Sequence, residues 1–81
     1  MNIKILGTGC PNCIALEGAV VRALKELKLE ATIDKVTAVN DILSYGIMYT
    51  PGLVIDGEVK SSGRIPNSEQ LKRLLLAARG E

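Results

Sequence analysis

Apolar and polar positions change their period several times along these 81 residues, and each change marks an element. Asn2 to Leu6 is apolar and rich in β-branched side chains apart from Lys4, and it runs into Gly7-Thr8-Gly9; that reads as a short strand and a turn. From Pro11 to about Lys28 the spacing becomes helical. At about 100° per residue, Cys13, Leu16, Ala19, Val20, Ala23, Leu24 and Leu27 share one arc, with Arg22, Lys25 and Glu26 opposite. Proline suits the first position of a helix because its missing N–H would find no partner there anyway. Gly18 is the weak point of this helix, costing about 1 kcal/mol against alanine. Ala31 to Val36 alternates partially and reads as a second strand, joined to the first by a helix of crossover length, which makes a βαβ unit. A short second helix, capped by Thr37 or Asn40, runs to Tyr45 with Gly46 at C′. Leu53-Val54-Ile55 and Glu58-Val59-Lys60, joined by Asp56-Gly57, read as a hairpin. After a loop from Ser61 to Pro66, Asn67 or Ser68 caps a last helix. Its core face is Leu71, Leu74, Leu75 and Ala78, and Gly80 ends it. Arg79-Gly80-Glu81 is expected to fray. The predicted order is β-α-β-α-β-β-α, an α/β arrangement in one domain spanning residues 1–81.

Composition then removes whole classes of function. A content of 47% apolar and 23% charged residues is that of an ordinary globular chain. Ten basic residues are interspersed among nine acidic ones, which gives no stripe of positive charge for a phosphate backbone, so no nucleic-acid partner is expected. No apolar run approaches the roughly 20 residues of a membrane span. The Met1 to Leu6 start lacks the features of a secretory leader, and a cytosolic, monomeric protein is expected. There is no histidine. Hydrolysis with an imidazole base and any metal site built on imidazole are thereby excluded. Thiol chemistry remains, carried by Cys10 and Cys13 in a C-x-x-C spacing.

Two residues three apart in a first helical turn have Cα atoms roughly 5 Å apart, within the range a disulfide spans. They differ in environment. Cys13 falls on the buried arc, and Cys10 sits at the helix entrance beside Gly9, so Cys10 should be exposed and Cys13 shielded. Unpaired N–H groups and the positive end of the helix dipole favour a thiolate at that entrance. Cys10 is therefore the candidate nucleophile and Cys13 the candidate resolving thiol. Two other readings stand beside this one. The pair would also hold a soft ion such as Cu(I) in near-linear geometry, as a non-enzymatic carrier, or be two small buried hydrophobes.

Gly9-Cys10-Pro11-Asn12-Cys13 at the start of the first helix, followed about 40 residues later by Tyr45-Gly46-Ile47-Met48-Tyr49-Thr50-Pro51 and Leu53-Val54-Ile55, resembles the thioredoxin superfamily. The likeness is to its small, glutaredoxin-length branch of redox-active disulfide proteins, and it covers nearly the whole chain. It implies a thioredoxin-like fold with a four-stranded mixed sheet and three flanking helices, no cofactor, and a thiol-disulfide oxidoreductase that reduces protein disulfides. It also implies a cis bond between Thr50 and Pro51, with Thr50 beside the sulfurs where its backbone can pair with an extended substrate. Substrate contacts then fall to Thr50, Pro51, Pro11 and Asn12. Met48 and Tyr49, with Ile14 and Val21 off the buried arc, are candidates for an apolar docking patch. The chain departs from the family at several points. Gly9 stands where thioredoxins carry tryptophan, and Pro-Asn replaces their dipeptide. No counterpart of their buried carboxylate is found, and Lys4 is the first strand's only charge and a candidate for tuning the dithiol. Ser61-Ser62-Gly63-Arg64 replaces the Gly-Gly pair by which glutaredoxins approach glutathione. That bulk points to a flavoprotein of the thioredoxin reductase type as electron donor.

Overall fold

A computed structural model describes residues 1–80; Glu81, the last of the three residues expected to fray, lies outside the described residues. The order is β1 (Asn2–Leu6), α1 (Pro11–Leu27), β2 (Thr32–Val36), α2 (Val39–Ser44), β3 (Gly52–Ile55), β4 (Glu58–Ser62) and α3 (Ser68–Arg79). The strands form one sheet in the order β2-β1-β3-β4. β1 runs parallel to β2 and antiparallel to β3, and β3 runs antiparallel to β4, so the sheet is mixed. This is the thioredoxin-like α/β architecture, with three helices about a four-stranded sheet.

Side chains of a strand alternate between faces, and β1 uses both. Ile3 and Ile5 join Leu53 and Ile55 of β3 beneath α1 and α3, where Leu16, Val20, Leu71 and Leu75 complete the main core. Leu6 and Val54 point the other way and meet Ile42 and Ile47 in a smaller cluster. Each fully buried Leu or Ile contributes about 1.5–3 kcal/mol, so the two clusters hold opposite faces of one sheet.

Several boundaries differ from expectation. α1 ends at Leu27 because Lys28 turns into the left-handed region (φ 56°) and its N–H closes on the Leu24 and Lys25 carbonyls. β2 begins at Thr32, one residue late. Neither Thr37 nor Asn40 caps α2; Ala38 occupies that position without a side-chain bond, and insertion of Ile42 into the smaller cluster holds the helix instead. β4 continues to Ser62, past the expected end at Lys60. An irregularity beside Leu53 and Val54 shifts the register, pairing Leu53 with Ser61 and Gly52 with Ser62. Asp56 and Gly57 both have positive φ, as the tight hairpin turn requires. Asn67 rather than Ser68 caps α3, in a reciprocal box with Gln70: Asn67 Oδ1 accepts the Gln70 N–H at 2.8 Å, and the Asn67 N–H donates to Gln70 Oε1 at 3.0 Å. No helix among the described residues is long and apolar enough to cross a membrane.

Gly18 sits in mid-helix, and a Cβ built on it meets only the Arg22 guanidinium at 3.6 Å, an ordinary contact. Gly18→Ala is therefore expected to stabilise the protein by about 1 kcal/mol, raising the melting temperature by about 4–8 °C in a thermal unfolding scan.

Candidate active site

The chain leaves β1 at Gly7, whose N–H continues the ladder to the Val36 carbonyl at 2.9 Å. It then turns through Gly9 (φ 89°) into Cys10. Cys10 is the N-cap of α1. Its backbone is extended (φ −65°, ψ 161°), its carbonyl accepts the Ile14 N–H at 3.1 Å, and Pro11 opens the helix. Its Sγ takes the capping role usually played by an oxygen, accepting the Cys13 N–H at 3.2 Å. Cys10 and Cys13 are joined as a disulfide, with Cα atoms 5.1 Å apart as the helix spacing predicted. The asymmetry expected between them is present in graded form. Cys13 is 5% exposed, on the buried face of α1, while Cys10 is half-buried, with Pro11 and Asn12 exposed between them.

Gly7 is a site residue that its place in a Gly-Thr-Gly turn does not reveal. A Cβ built on it would overlap Cys13 Sγ and lie 3.2 Å from Cys13 Cβ and 3.9 Å from Thr50 Cβ. Glycine at this position is what lets the inner sulfur pack on the end of β1, and the same distances bring Thr50 to the dithiol. The usable signal was a glycine at a strand end, six residues ahead of the inner cysteine.

The bond from Thr50 to Pro51 is cis. Thr50 is exposed and Pro51 buried, and the Pro51 carbonyl accepts the Gly63 N–H at 2.9 Å. Met48 and Tyr49 precede them, 86% and 71% exposed, and Ile14 on α1 is 63% exposed. Val21 does not belong with this group. It is half-buried two turns further along α1, and it lines a separate cleft with Leu24, Leu29 and Ile33.

Lys4 is not placed to tune the dithiol. The alternation of β1 turns it away from α1, and its Nζ donates to the Tyr45 hydroxyl at 3.1 Å while lying 5.8 Å from the ring centroid. That hydrogen bond, then the charge interaction with Tyr45, raises the ammonium pKa above its ordinary value, and Asp34 acts in the same direction. The charges that do line a cleft with Cys13 are Glu17, one helical turn on, and Lys35 of β2. They form an ion pair at 3.2 Å, with the Glu17 side chain 27% exposed, so this is no fully buried carboxylate. Among the described residues, no three Cys, Asp or Glu side chains gather in a way that would hold a metal ion.

A dithiol that can close without refolding a helix, with one sulfur at the helix entrance and the other buried, is built to exchange disulfides. The family model described as "Thioredoxin domain" matches residues 1–76. The chain is similar to the thioredoxin of Methanothermobacter thermautotrophicus, 43% identical over 75 residues that cover 93% of this chain and 97% of the relative. It is also similar to the thioredoxin of Methanocaldococcus jannaschii, 41% identical over 73 residues that cover 90% and 84%.

Proposed function

We propose, from the premise that this chain belongs to the thioredoxin family and is a thiol-disulfide oxidoreductase, that it reduces protein disulfides in the cytosol with Cys10 as nucleophile and Cys13 as resolving thiol. The observation that carries this assignment is the position of Cys10 as N-cap, with its sulfur accepting the Cys13 N–H. A thiolate there gains that hydrogen bond and the positive end of a 17-residue helix, both of which favour the charged form. Cys13 is buried one turn further along, where loss of water contact favours the neutral thiol.

The reaction then runs in two exchanges. The Cys10 thiolate attacks one sulfur of the substrate disulfide, forming a mixed disulfide and expelling the other substrate sulfur as a thiolate, which takes a proton from water. Cys13 loses its proton and attacks Cys10 Sγ, closing the intramolecular disulfide and releasing the second substrate thiol. The substrate gains two electrons and the dithiol loses two. Pro11, Asn12, Met48, Tyr49, Thr50 and Pro51 are the substrate contacts of this reading, with the backbone at Thr50 pairing with an extended segment. Electrons return from a flavoprotein of the thioredoxin reductase type, and the protein works as a monomer. The side chains of Ser62 and Arg64, both exposed on either side of Gly63, are the bulk that in this reading hinders close approach by glutathione.

Alkylation of the reduced protein tests the assignment. Cys10 should react with an apparent pKa below the free-thiol value of about 8.5, and Cys13 should label slowly until the fold opens. Equal labelling rates at neutral pH would overturn the roles. Mass spectrometry of the isolated protein separates the rival metal-carrier reading, since redox cycling moves the mass by two hydrogen atoms whereas a carrier retains its ion.

A further inference from the structure

The loop from β4 to α3 touches the segment ahead of Pro51 at one residue. Gly63 extends the β3–β4 ladder one step past the Gly52–Ser62 pair, donating its N–H to the Pro51 carbonyl at 2.9 Å. Its backbone sits at φ +74°, and a Cβ built on it would stand 2.9 Å from Tyr49 Cβ and 3.6 Å from the ring Cγ. Two separate constraints, one conformational and one steric, therefore hold this position to glycine. Tyr49 is 71% exposed, so its contact with Gly63 shapes a surface rather than filling a core.

We infer that Gly63 is a positioning residue for protein substrates: by fastening Pro51 through its N–H and seating Tyr49 on its bare Cα, it fixes the backbone of Tyr49-Thr50-Pro51 beside the dithiol. This rests on the reading of Thr50 as the place where an extended substrate pairs. The atom closest to the added Cβ decides the mechanism. It is Tyr49 Cβ, whose place is set by the main chain, and not the far end of a ring that can rotate away. A methyl group on residue 63 must therefore displace the backbone next to Thr50. Misplacement by about 1 Å is enough to cost about 10²-fold in a reaction that depends on orientation. A small disulfide that meets only the Cys10 sulfur does not use that backbone, so the cost falls mainly on protein substrates.

The test compares reduction of insulin disulfides with reduction of 5,5′-dithiobis(2-nitrobenzoate). Gly63→Ala should raise the KM for insulin by about tenfold, within the range orientation can cost, and slow the small aromatic disulfide much less. A folded Gly63→Ala chain with an unchanged KM for insulin, or one that loses as much with the small aromatic disulfide as with insulin, would overturn the inference. A measurement without substitution at residue 63 stands beside it, should Gly63→Ala fail to fold. In a Cys13→Ser chain carrying a peptide on Cys10 as a mixed disulfide, the Gly63 amide resonance should shift, and with a small aromatic thiol on Cys10 it should not. An unmoved Gly63 amide in the peptide adduct would again count against it. Failure of the native chain to turn over insulin at all counts against the proposed function as well, whereas turnover that ignores Gly63→Ala counts against the positioning role alone.

Discussion

Cys10→Ser is expected to abolish disulfide reduction, by about 10³-fold or more, while Cys13→Ser keeps the first attack and halts at a covalent adduct with substrate. The two substitutions look alike in sequence and differ because of the helix. Serine is a good N-cap, and its hydroxyl can accept the Cys13 N–H as the sulfur does, so the Cys10→Ser chain loses its nucleophile and keeps its fold. Cys13 is 5% exposed, and a hydroxyl there costs about 1–3 kcal/mol unless it finds a partner. That destabilises the domain without touching the outer sulfur. Non-reducing mass spectrometry after incubation with a disulfide-linked peptide reads the difference as a stable one-to-one adduct on the Cys13→Ser chain. Accumulation of that adduct on the Cys10→Ser chain, with none on the other, would reverse the two roles.

How far the sequence foretold this site depended on whether a residue's place was decided locally. Helix α1, its buried arc and the spacing of its cysteines follow from a 3.6-residue period and one proline, and the hairpin follows from Asp56-Gly57, both at positive φ. Residues decided by register were not legible. Lys4 was a candidate neighbour of the dithiol until the sheet showed which face of β1 carries α1; it shares a face with Leu6, which packs in the cluster opposite the helix. Ser61 and Ser62 read as loop because they cluster with Gly63 and Pro66, yet pairing with Leu53 and Gly52 draws them into β4. α2 has no side-chain cap and forms because Ile42 has a buried place to go. Gly63 looked like a flexible loop residue, and its use is set by Tyr49 and Pro51, both more than ten positions away in the chain.

Gly7→Ala is expected to be the most damaging substitution outside the cysteines, and to damage the oxidised form more than the reduced one. The position can yield in neither direction. The Gly7 N–H is tied to the Val36 carbonyl at 2.9 Å, so the end of β1 cannot withdraw without breaking the ladder to β2. On the other side the added Cβ overlaps Cys13 Sγ and approaches Cys13 Cβ to 3.2 Å. Forcing an extra methyl group into a packed site costs about 1–3 kcal/mol. In the disulfide the inner sulfur is bonded to Cys10 and cannot rotate aside. In the dithiol, rotation about the Cys13 Cα–Cβ bond gives it somewhere to go, leaving only the milder contact with Cys13 Cβ. The oxidised protein should therefore lose stability near the top of that range and the reduced protein near the bottom, and Gly7→Val should widen both losses. Urea unfolding of each redox form, native against Gly7→Ala, measures the two values separately. Equal losses in both forms would show that the methyl group strains β1 rather than the sulfur, and no loss in either would mean that the inner thiol does not pack against this strand end.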